Sequence, residues 1–350
     1  MSRHGDAFAG EPVAVVGAGS WGTTLAKVLG ENGRKTLLWT RREEVLRELS
    51  EKRTNSAYLP GAELPHSVEP TLDLARVARD CKLVLLVVPS HGFRAVAYEL
   101  GRHLSGEHVV VHASKGIEEG TSKRMSEVLR EETCVRKTGV LTGPNLAGEL
   151  AERQPTGTLV ASRYDEVFQR CHAALHNAYF RVYWGQDVVG AEVGGAFKNI
   201  VALAAGVAAG LGFGDNSKAL LLTRGLSEMA RVGTAMGADA FTFGGMAGVG
   251  DLIATCSSSR SRNHQVGLRL ARGESLDAIQ RDMRMVAEGV KTTRAVHEYA
   301  KKKGLELPIV RAVYRLLYET GSVPELLSDL MAVPTGAEFS LQGLAAGVAR

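Results

Sequence analysis

Apolar positions follow two rhythms along this chain, and the change falls near its middle. In the first half, short β-branched and leucine-rich runs alternate with longer stretches of helix formers: Val13 to Val16, Lys35 to Thr40, Leu83 to Val88, Val109 to Ala113, Gly139 to Thr142, Thr158 to Ala161 and Phe180 to Tyr183. Continuous rather than alternating apolar strands are expected where helices cover both faces of a parallel sheet. Beyond Gly190 the period becomes helical, with segments at Ala191 to Gly210, Asn216 to Met236, Ser261 to Arg272, Leu276 to Met283, Thr292 to Lys303 and Val310 to Thr320, and convincing strands disappear. The pattern predicts an α/β fold: a doubly wound, mainly parallel sheet over 11–188, an all-helical domain over 189–339, and a tail over 340–350.

The first strand breaks into Gly17, Gly19 and Gly22 before helix formers resume. This spacing reads as a phosphate-binding turn. Gly17 permits a tight exit from the strand, Gly19 lets backbone approach a pyrophosphate, and Gly22 permits close helix packing, so the N-terminal half is expected to be Rossmann-like. A site restricted to NAD usually carries an acidic residue at the end of the second strand; here Thr40 leads into Arg41 and Arg42, which admits NADP. Solvent-facing arginines at a helix start are the competing reading.

Composition narrows the function classes. With 350 residues, 45% of them hydrophobic, the chain can bury two cores, and 42 basic against 38 acidic residues give no reason to expect a nucleic-acid partner. Cys81, Cys134, Cys171 and Cys256 lie far apart with no CxxC pair, which favours a reduced setting over a disulfide framework. No signal peptide is expected from the polar start. The longest uncharged stretch, Asn199 to Gly214, is short for a membrane span, so a cytoplasmic protein without a transmembrane segment is expected.

Candidate chemistry gathers at strand ends and in the helical half. Pro89, Lys115, and Gly143 with Pro144 and Asn145 each follow a predicted strand, where α/β folds place ligands. Lys198 precedes a charge-free stretch, where burial would favour the neutral amine and suit it to proton exchange; Glu192 and Asn199 are nearby without being assured partners. Glycines flank Asp251, and Thr255, Ser261, Arg262 and Asn263 supply the donors that a phosphate ester needs. Cys171, His172 and His176 have chelating spacing but lack further ligands, so no metal is expected.

Taken in order, these segments resemble the bacterial type of NAD(P)-dependent glycerol-3-phosphate dehydrogenase: the stretch from Gly17 to Thr23, Ser114 to Glu118, Gly143 to Asn145, Lys198 with Asn199, Gly212 to Ala219, Thr223 to Met229, Gly248 to Leu252, Ser261 to Asn263, and Val286 to Gly289. The resemblance spans about residues 12–335. It implies reversible hydride transfer between NAD(P)H and dihydroxyacetone phosphate, giving sn-glycerol 3-phosphate for glycerophospholipid synthesis, in a homodimer. It further implies Lys198 as proton donor and acceptor, Lys115 polarising or holding the substrate, and Asp251 orienting Lys198 or a terminal hydroxyl. Arg262 and Asn263 would grip the phosphate, with Thr255 and Ser261 nearby and Gly143 and Asn145 on the substrate side. Gly17, Gly19, Ser20, Trp21, Gly22, Arg41, Pro89, Lys115, Ala147, Arg262, Val286 and Glu288 would contact the coenzyme. Phe197 and the Asn145–Leu146 pair depart from the usual family residues. Two alternatives stay open: a two-domain dehydrogenase acting on a carboxylate substrate, and a catalytically silent nucleotide sensor, which would have no use for Lys198 and Asp251 together.

Overall fold

β1 (Val13–Val16) is buried on both sides, with Val13 and Val15 in one apolar layer and Ala14 and Val16 in another. Because successive side chains point to opposite faces, an unbroken apolar run demands cover above and below. The computed structural model describes Phe8, Gly10 to Met283 and Ala287 to Glu319. It divides into two compact units, one running to Ser114 and resuming over Met125–Val188, the other formed by Lys115–Arg124 and the chain from Val189 onward. Lys115, which the sequence places after a strand of the first half, thus clusters with the helical half.

In the first unit the chain continues through α1 (Ser20–Glu31), β2 (Thr36–Trp39), α2 (Glu43–Lys52), a small antiparallel pair β3 (Thr54–Asn55) and β4 (Leu59–Glu63), and β5 (Val68–Thr71). It then forms α3 (Leu74–Asp80), β6 (Leu83–Leu86), α4 (Ser90–Gly101) and β7 (Val109–His112), and after the excursion to the second unit α5 (Met125–Glu132), β8 (Lys137–Thr142), α6 (Ala147–Ala151), β9 (Thr156–Ala161), α7 (Asp165–Leu175) and β10 (Phe180–Gly185). The main sheet has the order β10-β9-β8-β7-β6-β1-β2-β5. The order reverses between β1 and β6, the switch point at which doubly wound sheets open a crevice beyond their strand ends. All pairings are parallel except β8 with β9, so the sheet is mainly parallel with one reversal. Apolar periodicity overlooks β5, whose Pro70 lacks a backbone donor; the strand is tolerated because it lies at the sheet edge.

The second unit is built on α8 (Val188–Gly210), which is long and apolar enough by length and composition to cross a membrane. The uncharged stretch seen in the sequence begins partway along this helix and runs past its end to Gly214. Nearly all of its first five turns are buried within the unit, including Glu192 and Lys198, and Phe197 is fully enclosed in the apolar cluster. A helix that is apolar all round belongs at such a centre. Around it come α9 (Asp215–Ala235), a 3₁₀ turn over Ala240–Gly244, a π-helical turn over Met246–Gly250, α10 (Asp251–Ser257), α11 (Arg262–Ala271), α12 (Leu276–Asp282), α13 (Glu288–Lys303) and α14 (Pro308–Tyr318). From α9 the buried Glu228 reaches the start of α14 and accepts hydrogen bonds from the Ile309 and Val310 amides at 2.7 and 3.2 Å. Burial pushes that carboxyl up to about 7.

α8 and α11 pack backbone against backbone. A Cβ on Gly206 would lie 2.0 Å from the His264 carbonyl oxygen, and one on Gly267 would lie 2.0 Å from that of Leu203. Neither neighbour can yield as a flexible side chain would. Gly206→Ala is therefore expected to destabilise the helical unit by about 1–3 kcal/mol, the usual range for overpacking. Urea denaturation should show a lowered midpoint, whereas Gly244→Ala, whose Cβ would meet nothing within 4 Å, should leave it nearly unchanged; equal midpoints for the two variants would contradict the close packing.

Candidate active site

The first unit makes a tight glycine turn at the end of β1. Gly17 has φ +122°, and a Cβ there would stand 2.2 Å from the Val87 carbonyl oxygen, just past β6. Gly22 is needed even more locally, since its Cβ would meet the Gly17 oxygen at 1.8 Å. The tight contact is thus with the turn itself. Gly19 caps α1 with open space where a side chain would be, no side chain caps the helix, and its first turn holds no acidic residue. An anionic pyrophosphate fits these backbone donors and the positive end of the helix dipole. Ser20 and Trp21 open that helix, and Trp21 is half-buried with its ring edge-on to Phe180.

Sequence reasoning missed Asn55 on β3, a buried amide that donates to the Ala18 carbonyl at 3.0 Å and to the Thr23 hydroxyl at 2.8 Å, holding the turn. It gives no sequence signal, since it lies within the polar run Glu51 to Ser56 and in an unpredicted strand. Arg41 is exposed after β2, while Arg42 lies over the Tyr58 ring at 5.7 Å. Pro89 precedes α4. Gly143 follows β8 with φ +139°, and Asn145 ties this loop to β9 by donating to Gly157 O at 2.9 Å and accepting from the Thr158 hydroxyl at 3.0 Å. The Ala147 carbonyl accepts from Thr24 of α1 at 3.2 Å.

In the second unit a single buried carboxylate holds two lysines. Asp251 is 1% exposed; its Oδ1 receives the Lys198 ammonium at 2.5 Å and its Oδ2 that of Lys115 at 2.7 Å. Lys198 also donates to the Thr255 hydroxyl at 2.6 Å. Thr255 in turn lies 3.3 Å from Asp251 Oδ1, as residues four apart on α10 can. This is the partner that a lysine before a charge-free stretch requires. Burial lowers the Lys198 amine from its ordinary 10.5 to about 7, an effect the attraction of Asp251 opposes and the nearby Lys115 reinforces. The adjacent Cys256 thiol is pushed up to about 12 by its own burial, so it stays protonated near neutrality.

Local backbone explains where the carboxylate sits. The π-helical turn over Met246–Gly250 runs directly into Asp251, and π turns of this kind recur at functional sites. The turn touches α8 closely: a Cβ on Gly194 would lie 2.1 Å from the Ala247 oxygen. Glycine on α8 thus lets the turn approach the helix that carries Lys198.

Beside this group, two amides link three helices. Asn263 of α11 donates to Asn199 of α8 at 2.9 Å and accepts from the Gly289 amide of α13 at 2.9 Å. Asn199 also reaches the Lys115 carbonyl at 3.4 Å. The sequence singles out Asn263 as a phosphate donor but gives no sign that its amide is engaged in this link. Ser261 caps α11, accepting from the His264 amide at 3.4 Å, and Arg262 begins that helix with its side chain exposed. Glu288 begins α13, while Val286 lies outside the described residues.

Two family models match successive parts of the chain: the N-terminus of NAD-dependent glycerol-3-phosphate dehydrogenase over residues 12–168 and its C-terminus over 187–328. A glycerol-3-phosphate dehydrogenase [NAD(P)+] of Bacillus thuringiensis (strain Al Hakam) is 46% identical over 322 residues, covering 91% of this chain and 95% of the relative. The crystal structure of glycerol-3-phosphate dehydrogenase from Coxiella burnetii superposes with a TM-score of 0.89 at 34% identity, covering 92% of this chain and 99% of the other. The yeast (Saccharomyces cerevisiae) glycerol-3-phosphate dehydrogenase structure gives 0.80 at 29% identity with the same coverage. With a glycine turn suited to a dinucleotide, a desolvated lysine on a buried carboxylate, and relatives alike over nearly their whole length, this chain is an NAD(P)-dependent oxidoreductase and belongs to the NAD-dependent glycerol-3-phosphate dehydrogenase family.

Proposed function

We propose that this chain interconverts dihydroxyacetone phosphate and sn-glycerol 3-phosphate, with Lys198 as the group that gives and takes the proton at the C2 oxygen. The observation that carries the reading is the buried Asp251 carboxylate with an ammonium on each oxygen, one of them tuned to about 7. When bound, the reduced nicotinamide supplies the hydride that C2 receives. As the carbonyl oxygen gains negative charge, the Lys198 ammonium donates its proton there and Lys115 stabilises the developing charge. Such donors act more strongly on the transition state than on the bound ketone. In the reverse direction neutral Lys198 accepts the hydroxyl proton, and Asp251 holds its amine in place for both.

In this reading 11–188, apart from the Lys115–Arg124 segment that clusters with the second unit, is the dinucleotide-binding domain, and 189–339 is the substrate domain. Arg262, exposed beside the engaged Asn263, meets the substrate phosphate, with Ser261 ordering the start of its helix. The family resemblance assigns Gly143 and Asn145 to the substrate and Glu288 to the coenzyme. Arg41 faces an adenosine 2′-phosphate when the coenzyme is NADP. The family resemblance supports a cytoplasmic homodimer that supplies glycerol 3-phosphate for glycerophospholipid synthesis.

The reaction is tested by following NADH and NADPH oxidation with dihydroxyacetone phosphate across pH. Ketone reduction needs protonated Lys198, so its kcat should fall as pH rises through about 7; oxidation needs the free amine and should rise through the same range. Lys198→Ala should lower both by about 10²–10⁴-fold with coenzyme affinity retained. No oxidation of either coenzyme by wild type would overturn the reading. For Arg262→Ala, the KM for dihydroxyacetone phosphate should rise at least about tenfold while turnover of unphosphorylated dihydroxyacetone stays unchanged, in line with loss of a charge-assisted contact to phosphate. Equal losses on the two substrates would remove Arg262 from the phosphate site.

A further inference from the structure

The ten residues Lys115–Arg124 stand in the sequence between two elements of the first unit yet pack with the second. They form a short hairpin. Ile117 and Arg124 face each other as an antiparallel bridge, the Glu118 amide donates to Lys123 O at 2.9 Å, and the Ser122 amide donates to Glu118 O at 3.0 Å. Gly120 and Ser122, with φ +78° and +56°, make the bend. At the start of the hairpin Lys115 reaches Asp251; Ile117, 3% exposed, joins the apolar cluster that contains Val193 and Phe197. At its far end Arg124 meets Glu192 of α8 at 2.6 Å, with side chains only 12% and 3% exposed.

We propose that the buried Arg124–Glu192 ion pair is a positioning element for the reaction: it staples the hairpin to α8 so that the Lys115 ammonium is seated on Asp251. This rests on the reading of Lys115, Lys198 and Asp251 given above.

Three observations support it. The pair is short and buried, whereas the Asn199 contact with the Lys115 carbonyl is long at 3.4 Å, and at the bend Glu119 lies 3.9 and 3.7 Å from the partly exposed Lys291 and Arg294. A buried ion pair contributes little net stability relative to an apolar pair of similar volume, so specificity of placement accounts better for its presence. Finally, Glu192 and Lys198 lie six residues apart on one rigid helix, a rise of about 9 Å. α8 can therefore hold the end of the hairpin at one level while presenting the reacting amine at another.

The pair need not touch substrate to influence proton transfer. Lys198 is faced by Asp251 and Cys256 of α10 and by Lys115 of the hairpin, with Lys218 of α9 near Cys256. Of these, Lys115 is the cation that the hairpin carries. If the staple opens, Lys115 withdraws, Asp251 attends to Lys198 alone, and the Lys198 amine holds its proton to higher pH.

The test is the pH profile of dihydroxyacetone phosphate reduction with NADPH for wild type, Lys115→Met, Glu192→Gln and the double variant, with NADPH affinity measured by fluorescence titration. Glu192→Gln is expected to lower kcat/KM by about tenfold or more and to move the alkaline limb upward, as Lys115→Met does, with NADPH affinity unchanged. In the double variant the limb should sit where Lys115→Met alone places it. Should Glu192→Gln not fold, Glu192→Asp and Arg124→Lys, which keep the charges, are expected to move the limb by a smaller amount in the same direction. If Lys115→Met moves the limb while the staple variants leave it at the wild-type position, or if the shifts add in the double variant, the positioning role is overturned. If Lys115→Met itself leaves the limb in place, the underlying reading of the two lysines fails instead.

Discussion

One buried carboxylate between two ammonium groups is the constraint on which the helical unit depends. Asp251 cannot be enclosed as an anion without partners, and Lys198 cannot be enclosed as a cation without one. Each makes the other's burial tolerable, and Lys115 on the second oxygen tips the balance. The carboxylate attracts both lysines, the lysines repel each other, and desolvation disfavours charge on the more deeply buried amine. Lys198 yields, and its affinity for a proton falls into the range where it can both donate and accept at neutral pH. The same property would be a defect in a purely structural lysine.

Glycine serves the two units through one physical advantage, the absence of Cβ, applied to different ends. In the first unit it lets the turn after β1 fold against Val87 and leaves the backbone of Gly19 open to a pyrophosphate. In the second it lets α8 touch both the π turn that delivers Asp251 and α11, which begins with Arg262. Helices held at side-chain distance would set the lysine and carboxylate further apart. The apolar, glycine-rich character of α8 is therefore explained by close packing around a charged group, with the paired residues Glu192 and Lys198 kept inside.

Much of this was legible in the sequence, for identifiable reasons. β1, β2 and β6 to β10 stand out because each carries a run of apolar or β-branched residues, and the glycine turn because a β-branched strand precedes it and a helix follows. β5 was hidden by Pro70, which only an edge position excuses. The reversal of β9 leaves no mark on composition, since parallel and antiparallel neighbours bury the same residues. At the site, the need of Lys198 for a partner could be read from its apolar surroundings, but not that Asp251, 53 residues onward, would hold Lys115 as well. Asn263 illustrates the opposite failure: its chemistry suited a phosphate, while its amide is engaged by Asn199 and Gly289. Long-range pairing of this kind depends on how helices cross, which periodicity does not encode.

The most direct test of the account is the titration of one amine. In nitrogen-15 NMR of the lysine side chains, with the Lys198 signal identified by its loss in Lys198→Arg, the amine should change protonation near pH 7 in the folded protein. A Lys198 signal that stays protonated to beyond pH 10, as an ordinary lysine does, would contradict the claim that burial beside Asp251 and Lys115 has made it the proton-exchanging group.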